Sequence, residues 1–245
     1  MTGTNLPLYA SDSFRRIAGE TWRPGGTALT RHALELCRFA PGADILDIGC
    51  GQGASLELVR ALGLHGTGLD RERAMTKDFP FVQADAGDPP FPPASFDGIL
   101  CECVLSLLPD AALALRRFAG ILRPDGKLVL SDLYVRSSSV PSGTMIHGSS
   151  CLAGARTRQE LEALLEQSGL VLLRFEDHTS SLKELAARLL WYGDESLCAL
   201  LRGKAPGKDT GRVSGDCACG SLRPGGTRMG YGLWIAAPRA PVPNR

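Results

Sequence analysis

The feature that most constrains this chain is a short apolar run ending in a glycine cluster, where Asp44-Ile-Leu-Asp-Ile48 leads into Gly49-Cys-Gly-Gln-Gly53. Glycines at alternate positions let the backbone turn sharply and let a ligand approach with no Cβ in the way. Ala54 to Leu62 then carries apolar residues at helical spacing. Strand, tight turn and helix form the unit from which parallel α/β sheets are built.

The rest of the chain repeats that unit. Further strands are predicted at Gly66–Leu69, ending at Asp70, at Phe79–Gln83, at Phe96–Cys101, and at Lys127–Ser131 after the turn Arg123-Pro-Asp-Gly126. A helix is predicted over Ala111–Ile121. Thr157 and Glu160 form a capping-box pair for a helix to about Gln167 that stops at Gly169. A sixth strand follows at Leu170–Phe175, then an amphipathic segment at Leu182–Leu201. A Gly-rich polar stretch, Gly203–Gly230, precedes a last strand at Tyr231–Ala236. With 245 residues, 44% of them hydrophobic, one domain is expected. Its parts are an N-terminal cover and lead-in helix (1–39), a core (40–178), a helix plus Gly/Cys-rich loop (179–230), and a last strand with tail (231–245).

A formal charge of +1 provides no global field for nucleic acid or anionic lipid, so the expected partner is a small molecule. Met1–Asp12 has no basic start followed by an apolar core, and the apolar stretch Gly98–Leu108 is broken by Glu102. A cytoplasmic chain without membrane contact is therefore expected, with its eight cysteines mostly reduced.

Read as Gly49, Gly51 and Ala54, the glycine turn also satisfies a dinucleotide fingerprint, which keeps a nicotinamide-dependent oxidoreductase as a remote alternative. Asp47 argues against it. A carboxylate at that strand end repels a pyrophosphate but suits S-adenosylmethionine, which has no phosphate and carries an ammonium and a sulfonium. Asp70, ending the second strand, can accept both hydroxyls of a ribose. Asp85, in Gln83-Ala-Asp-Ala86, can accept from an adenine amino group.

Together these residues resemble the class I S-adenosylmethionine-dependent methyltransferase superfamily over roughly Ala40–Asp132. The resemblance implies a donor site at Asp47, Gly49, Cys50, Gly51, Gly53, Asp70, Asp85 and Ala86. It also implies a doubly wound, mostly parallel seven-stranded sheet of order 3-2-1-4-5-7-6 with the last strand antiparallel. Only residues 71–78 separate Asp70 from Phe79, so the second helix is expected to be shortened or missing. Glu102, just past strand four, could contact the donor's amino group or an acceptor, or could be a solvated rim carboxylate.

Ligands bind outside the carboxyl ends of strands in an open parallel sheet, and six of the eight cysteines fall towards that edge. Cys37 and Cys198 read as core. The segment Cys151-Leu-Ala-Gly-Ala155 looks like the corresponding segment of arsenite methyltransferases, which implies that Cys151, with Cys219 or Cys217, could hold a soft acceptor such as trivalent arsenic. His147 shares that link and could act as a general base; His178 is a further candidate for chemistry. Tyr9 and Trp22 are candidate stacking residues in a cover. No metal ligand set is expected. The second function class is a non-catalytic donor-binding or Cys-loop metal- or redox-sensing protein.

Overall fold

The computed structural model describes residues 12–19, 21–72, 78–137, 154–193 and 228–240. Eight strands form one sheet: β1 (Asp44–Ile48), β2 (His65–Asp70), β3 (Phe81–Gln83), β4 (Phe96–Glu102), β5 (Leu122–Ser137), β6 (Arg156–Thr157), β7 (Leu170–Asp177) and β8 (Arg228–Pro238). Six helices are described: α1 (Asp12–Ala18), α2 (Gly26–Cys37), α3 (Ala54–Ala61), α4 (Ala111–Ile121), α5 (Arg158–Gln167) and α6 (Thr179–Tyr192).

The sheet order is β3-β2-β1-β4-β5-β8-β7, with β8 antiparallel to both neighbours. This is the order expected from the sequence, with one addition. The two-residue β6 pairs in parallel with Tyr134 and Val135 of β5. Because β8 occupies the other side of β5 there, β6 continues the edge that β4 vacates after its Glu102–Ser131 pairing. A two-residue strand has too few positions to show a periodicity in sequence. The expectation of a shortened or missing second helix falls on residues 73–77, which lie outside the described residues.

Each central strand is apolar on both faces because helices cover both. In β1 all residues after Asp44 are buried, and its two faces feed different clusters. Leu46 and Ile48 pack with Phe118 and Leu128 on one side; Ile45 packs with Leu34, Leu58 and Tyr231 on the other. The capping box of α5 is present, with Thr157 Oγ1 accepting from Glu160 N and Glu160 Oε2 accepting from Thr157 N. Asp110 caps α4 by accepting from Leu113 N at 2.8 Å.

Several boundaries differ from expectation: β3 starts at Phe81, β7 runs on to Asp177 and α6 starts at Thr179, and the larger differences are in β5 and the last strand. Residues 123–126 do not separate β5 from what precedes it. They are taken up as an irregularity between the Phe96–Leu122 and Gly98–Lys127 pairings, so β5 begins at Leu122. The last strand begins at Arg228, because β5 runs on to Ser137 and offers it pairing partners that far out.

Candidate functional site

The parallel strands β1, β2, β3, β4 and β5 all point their carboxyl ends to one edge, and β7, antiparallel to β8 as β5 is, ends there too. The loop after β1 lies at this edge. Gly49, Gly51 and Gly53 all have positive φ, at 72°, 50° and 81°, which a Cβ would oppose. Gly49 N and Cys50 N both donate to Leu69 O, clamping the turn to β2. Gly51 N donates to Asp70 Oδ2 at 3.0 Å, and Glu72 N donates to Asp70 Oδ1 at 3.1 Å. Asp70 therefore orders the glycine turn as well as closing β2. Asp85 Oδ1 accepts from Gly87 N at 2.7 Å and so shapes the loop after β3, while Ala86 is buried in the main core. Cys50 is buried, its sulfur packed close to Gly68.

Beneath this turn lies a buried polar group. Asp47 is 4% exposed. Desolvation, reinforced by the Glu102 carboxylate and only partly opposed by Arg23, pushes its pKa up to about 8. Glu102 is itself buried, which corrects the reading of it as a solvated rim carboxylate. Its Oε2 accepts from Arg23 Nη2 at 2.7 Å and from Ser55 Oγ at 2.9 Å, and its Oε1 from Thr30 Oγ1 at 3.0 Å. Arg23 also donates to Gly26 O, which places the start of α2 against the end of β4. With both carboxylates ionised, Asp47, Glu102 and Arg23 leave one surplus negative charge, and the arrangement suits a bound cation.

Arg23, Thr30 and Ser55 were not singled out by the sequence. A weak signal existed in Trp22-Arg-Pro-Gly-Gly-Thr27, which reads there as turn chemistry alone. Trp22 packs against α1 and α6, on the cluster of Phe14, Ala18, Leu185 and Leu189, and Arg15 lies over its ring at 4.4 Å.

A second buried carboxylate network stands beside the first. Asp132, after the core of β5, accepts from Ser106 N, Ser106 Oγ and Leu133 N. Desolvation nevertheless holds its pKa up at about 6. Cys103, with φ 58°, meets Tyr231 Oη at 3.2 Å, while Cys37 and Cys101 are buried in the core. Cys151, Cys217, Cys219, Cys198, His147 and Tyr9 lie outside the described residues. No described helix is long and apolar enough to cross a membrane.

Comparison with known proteins agrees with this geometry. Residues 46–130, the glycine turn through β5, match the methyltransferase domain family. The chain is 34% identical over 140 residues to nocamycin O-methyltransferase of Saccharothrix syringae, covering 48% of this chain and 49% of that protein. It is 30% identical over 153 residues to a ubiquinone biosynthesis O-methyltransferase of Xanthomonas campestris, covering 54% and 64%. It thus spans about half of the first relative and under two thirds of the second. Over 166 residues it is 31% identical to O-methyltransferase rstn1 of Aspergillus nomiae, covering 61% of this chain and 73% of that protein. Among solved structures, phosphoethanolamine N-methyltransferase 2 of Haemonchus contortus, bound to phosphomonomethylethanolamine and S-adenosylhomocysteine, superposes with a TM-score of 0.68 at 18% identity. That match covers 93% of this chain and 57% of the other. The cyclase SpnF superposes with a TM-score of 0.65 at 19% identity over 87% and 82%. Likeness at that identity speaks to fold alone, since one fold carries several chemistries. The sheet order, the acidic glycine turn and the extent of the rstn1 match agree, and by them the chain belongs to the class I S-adenosylmethionine-dependent methyltransferases.

Proposed function

We propose that the chain binds S-adenosylmethionine across the carboxyl ends of β1, β2 and β3 and transfers its methyl group to an oxygen of a small-molecule acceptor. The observation that carries this reading is the buried Asp47, which shares its surroundings with Glu102 and a single guanidinium and gains from a cation. The glycine turn fits such a ligand: a Cβ built at Gly51 meets nothing within 4 Å. Asp70 would exchange part of its bonding to Gly51 N for ribose hydroxyls, and Asp85 would accept from the adenine amino group. Gly49, Cys50 and Gly53 would contribute backbone, and the Ala86 side chain would support the loop from below. Glu102 holds Arg23 and Thr30, so its part is to fix the start of α2 beside the site.

The oxygen acceptor is proposed because the three curated relatives named above are O-methyltransferases. A sulfonium is already a good leaving group, so the protein's task is to align the acceptor about 3 to 3.5 Å from the methyl carbon and to exclude water. Purified chain should be incubated with methyl-labelled donor and a panel of phenols, hydroxy acids and polyketide-like alcohols, with arsenite as a separate arm. Label transfer to a hydroxyl compound supports the proposal. Transfer to arsenic that is lost in Cys151→Ser would replace oxygen with a thiol-held acceptor. Donor binding without consumption across the panel would favour the non-catalytic class.

A further inference from the structure

On the same edge of the sheet, away from the glycine turn, three side chains converge, from α2, from the end of β7 and from the start of α6. His32 Nε2 lies 2.7 Å from Glu176 Oε2, and His178 Nε2 lies 3.0 Å from the same oxygen. The two imidazole rings stand edge to face, 5.9 Å apart, with both Nε2 atoms on the one carboxylate oxygen. Among the described residues this is the group of histidine, cysteine or acidic side chains whose ligand atoms come within 4.8 Å of one another.

Glu176 is the penultimate residue of β7, and His178, just past the strand end, is the N-cap residue of α6, so the chain's turn from strand to helix brings the two together. His32 comes from α2. The other carboxylate oxygen is occupied, since Glu176 Oε1 accepts from Arg174 Nε at 2.6 Å. That contact orients the carboxylate as outer partners orient the ligands of metal sites, and it leaves Oε2 alone to face the histidines.

We propose that His32, Glu176 and His178 form a binding site for a divalent transition cation of borderline softness, such as Zn²⁺, with a water in the fourth position. Two neutral imidazoles and one carboxylate are a ligand set such ions take, at about 2.0 to 2.2 Å from each ligand atom. A tetrahedron with those bonds has ligand–ligand edges of about 3.3 Å, so the gaps of 2.7 and 3.0 Å need to open by roughly half an ångström. The side chains are 44%, 19% and 24% exposed, which leaves room for that adjustment and a path for the ion. The ion would tie α2 to the end of β7. His178 N also donates to Tyr231 O, and Thr30 of α2 holds Glu102, so the tie would brace the flank of the buried polar group. The proposal does not depend on the methyl donor.

The test uses the full chain without a histidine tag, stripped with chelator, with accessible thiols alkylated so that they do not compete. Co²⁺ serves as the spectroscopic probe and Zn²⁺ as the calorimetric one. One equivalent of Co²⁺ should give visible bands of a four- or five-coordinate nitrogen and oxygen site, displaced by Zn²⁺, and Zn²⁺ should raise the melting temperature. His32→Ala and His178→Ala should each weaken Zn²⁺ binding by about 100-fold or more, at or beyond what loss of an outer partner alone costs. His65→Ala, an exposed histidine at the opposite end of β2, should leave it unchanged. Equal binding by wild type and both site variants, or no binding by folded wild type, overturns the proposal and leaves an ordinary hydrogen-bonded cluster.

Discussion

Arg23 Nη2 and Glu102 Oε2 meet at 2.7 Å with both side chains only 5% exposed, joining the start of α2 to the end of β4. Two charges removed from water are held by mutual attraction and by the hydroxyls of Thr30 and Ser55, and removing one partner strands the other. Arg23→Ala should therefore cost about 3 to 5 kcal/mol in chemical denaturation. Arg23→Ala with Glu102→Gln should recover part of that loss, because the unpaired charge is gone. A loss below about 1 kcal/mol in Arg23→Ala would show that the pair is solvated and contributes as little as a surface pair does.

Asp47 predicts a pH dependence of the free protein and of donor binding. Desolvation raises its pKa from 3.8 to about 8, so the folded state holds a proton that the unfolded state releases. Its contribution to stability is complete below about pH 4 and is lost as pH rises towards about 8. A donor whose ammonium pairs with the ionised form must expel that proton. Donor affinity should thus rise by up to about tenfold per pH unit across the same window, with proton uptake by buffer visible in calorimetry. Asp47→Asn should flatten both trends, keep the fold at pH 8, and bind the donor weakly. A flat affinity profile in wild type would remove Asp47 from contact with the cation.

How much of this could be read in the sequence follows from the range of the interactions. The Thr157–Glu160 box and helix α4 are local, three to four residues in span, and both stand where their patterns put them. The sheet order came from a resemblance carried by motifs at strand ends, and the strands obey it. The Arg23–Glu102 pair spans 79 residues of chain, and no pattern in one sequence links positions so far apart. The same holds for His32 and Glu176, 144 residues apart, whereas His178 reads as a candidate for chemistry from the sequence. Asp70 was assigned to a ribose from its strand-end position; that it also fastens Gly51 N depends on the loop's curl, which glycines permit but do not specify.

That second duty makes Asp70 the more sensitive of the two carboxylates proposed to hold the adenosine. Asp70→Ala should weaken S-adenosylmethionine and S-adenosylhomocysteine alike by about 1.5 to 3 kcal/mol, the scale of hydrogen bonds to a charged group. Asp85→Ala should cost less, because it loses one neutral donor and the Gly87 N contact is exposed to water. Titration calorimetry at one pH compares them directly. A larger loss in Asp85→Ala would mean that the loop after β3, not the β2 end, carries the adenosine.

Gly49 and Gly51 separate fold from function within one turn. Both have positive φ, so alanine at either costs about 1 to 2 kcal/mol of backbone strain. At Gly49 the new Cβ would also collide with a Cγ of Val104, and overpacking adds about 1 to 3 kcal/mol. At Gly51 it would meet nothing within 4 Å, and that open space is the one proposed for the donor. Gly49→Ala should therefore be the less stable variant, and Val104→Ala should partly rescue it, since contacting sites are coupled. Gly51→Ala should melt nearer to wild type yet lose more donor affinity relative to its stability, and no change at Val104 should restore it. Denaturation midpoints and donor titrations on wild type, the two glycine variants and each of these combined with Val104→Ala give both comparisons. If Gly51→Ala binds the donor as wild type does, the space beside Gly51 is not the donor site, and the ligand must approach the sheet edge from the β4 side.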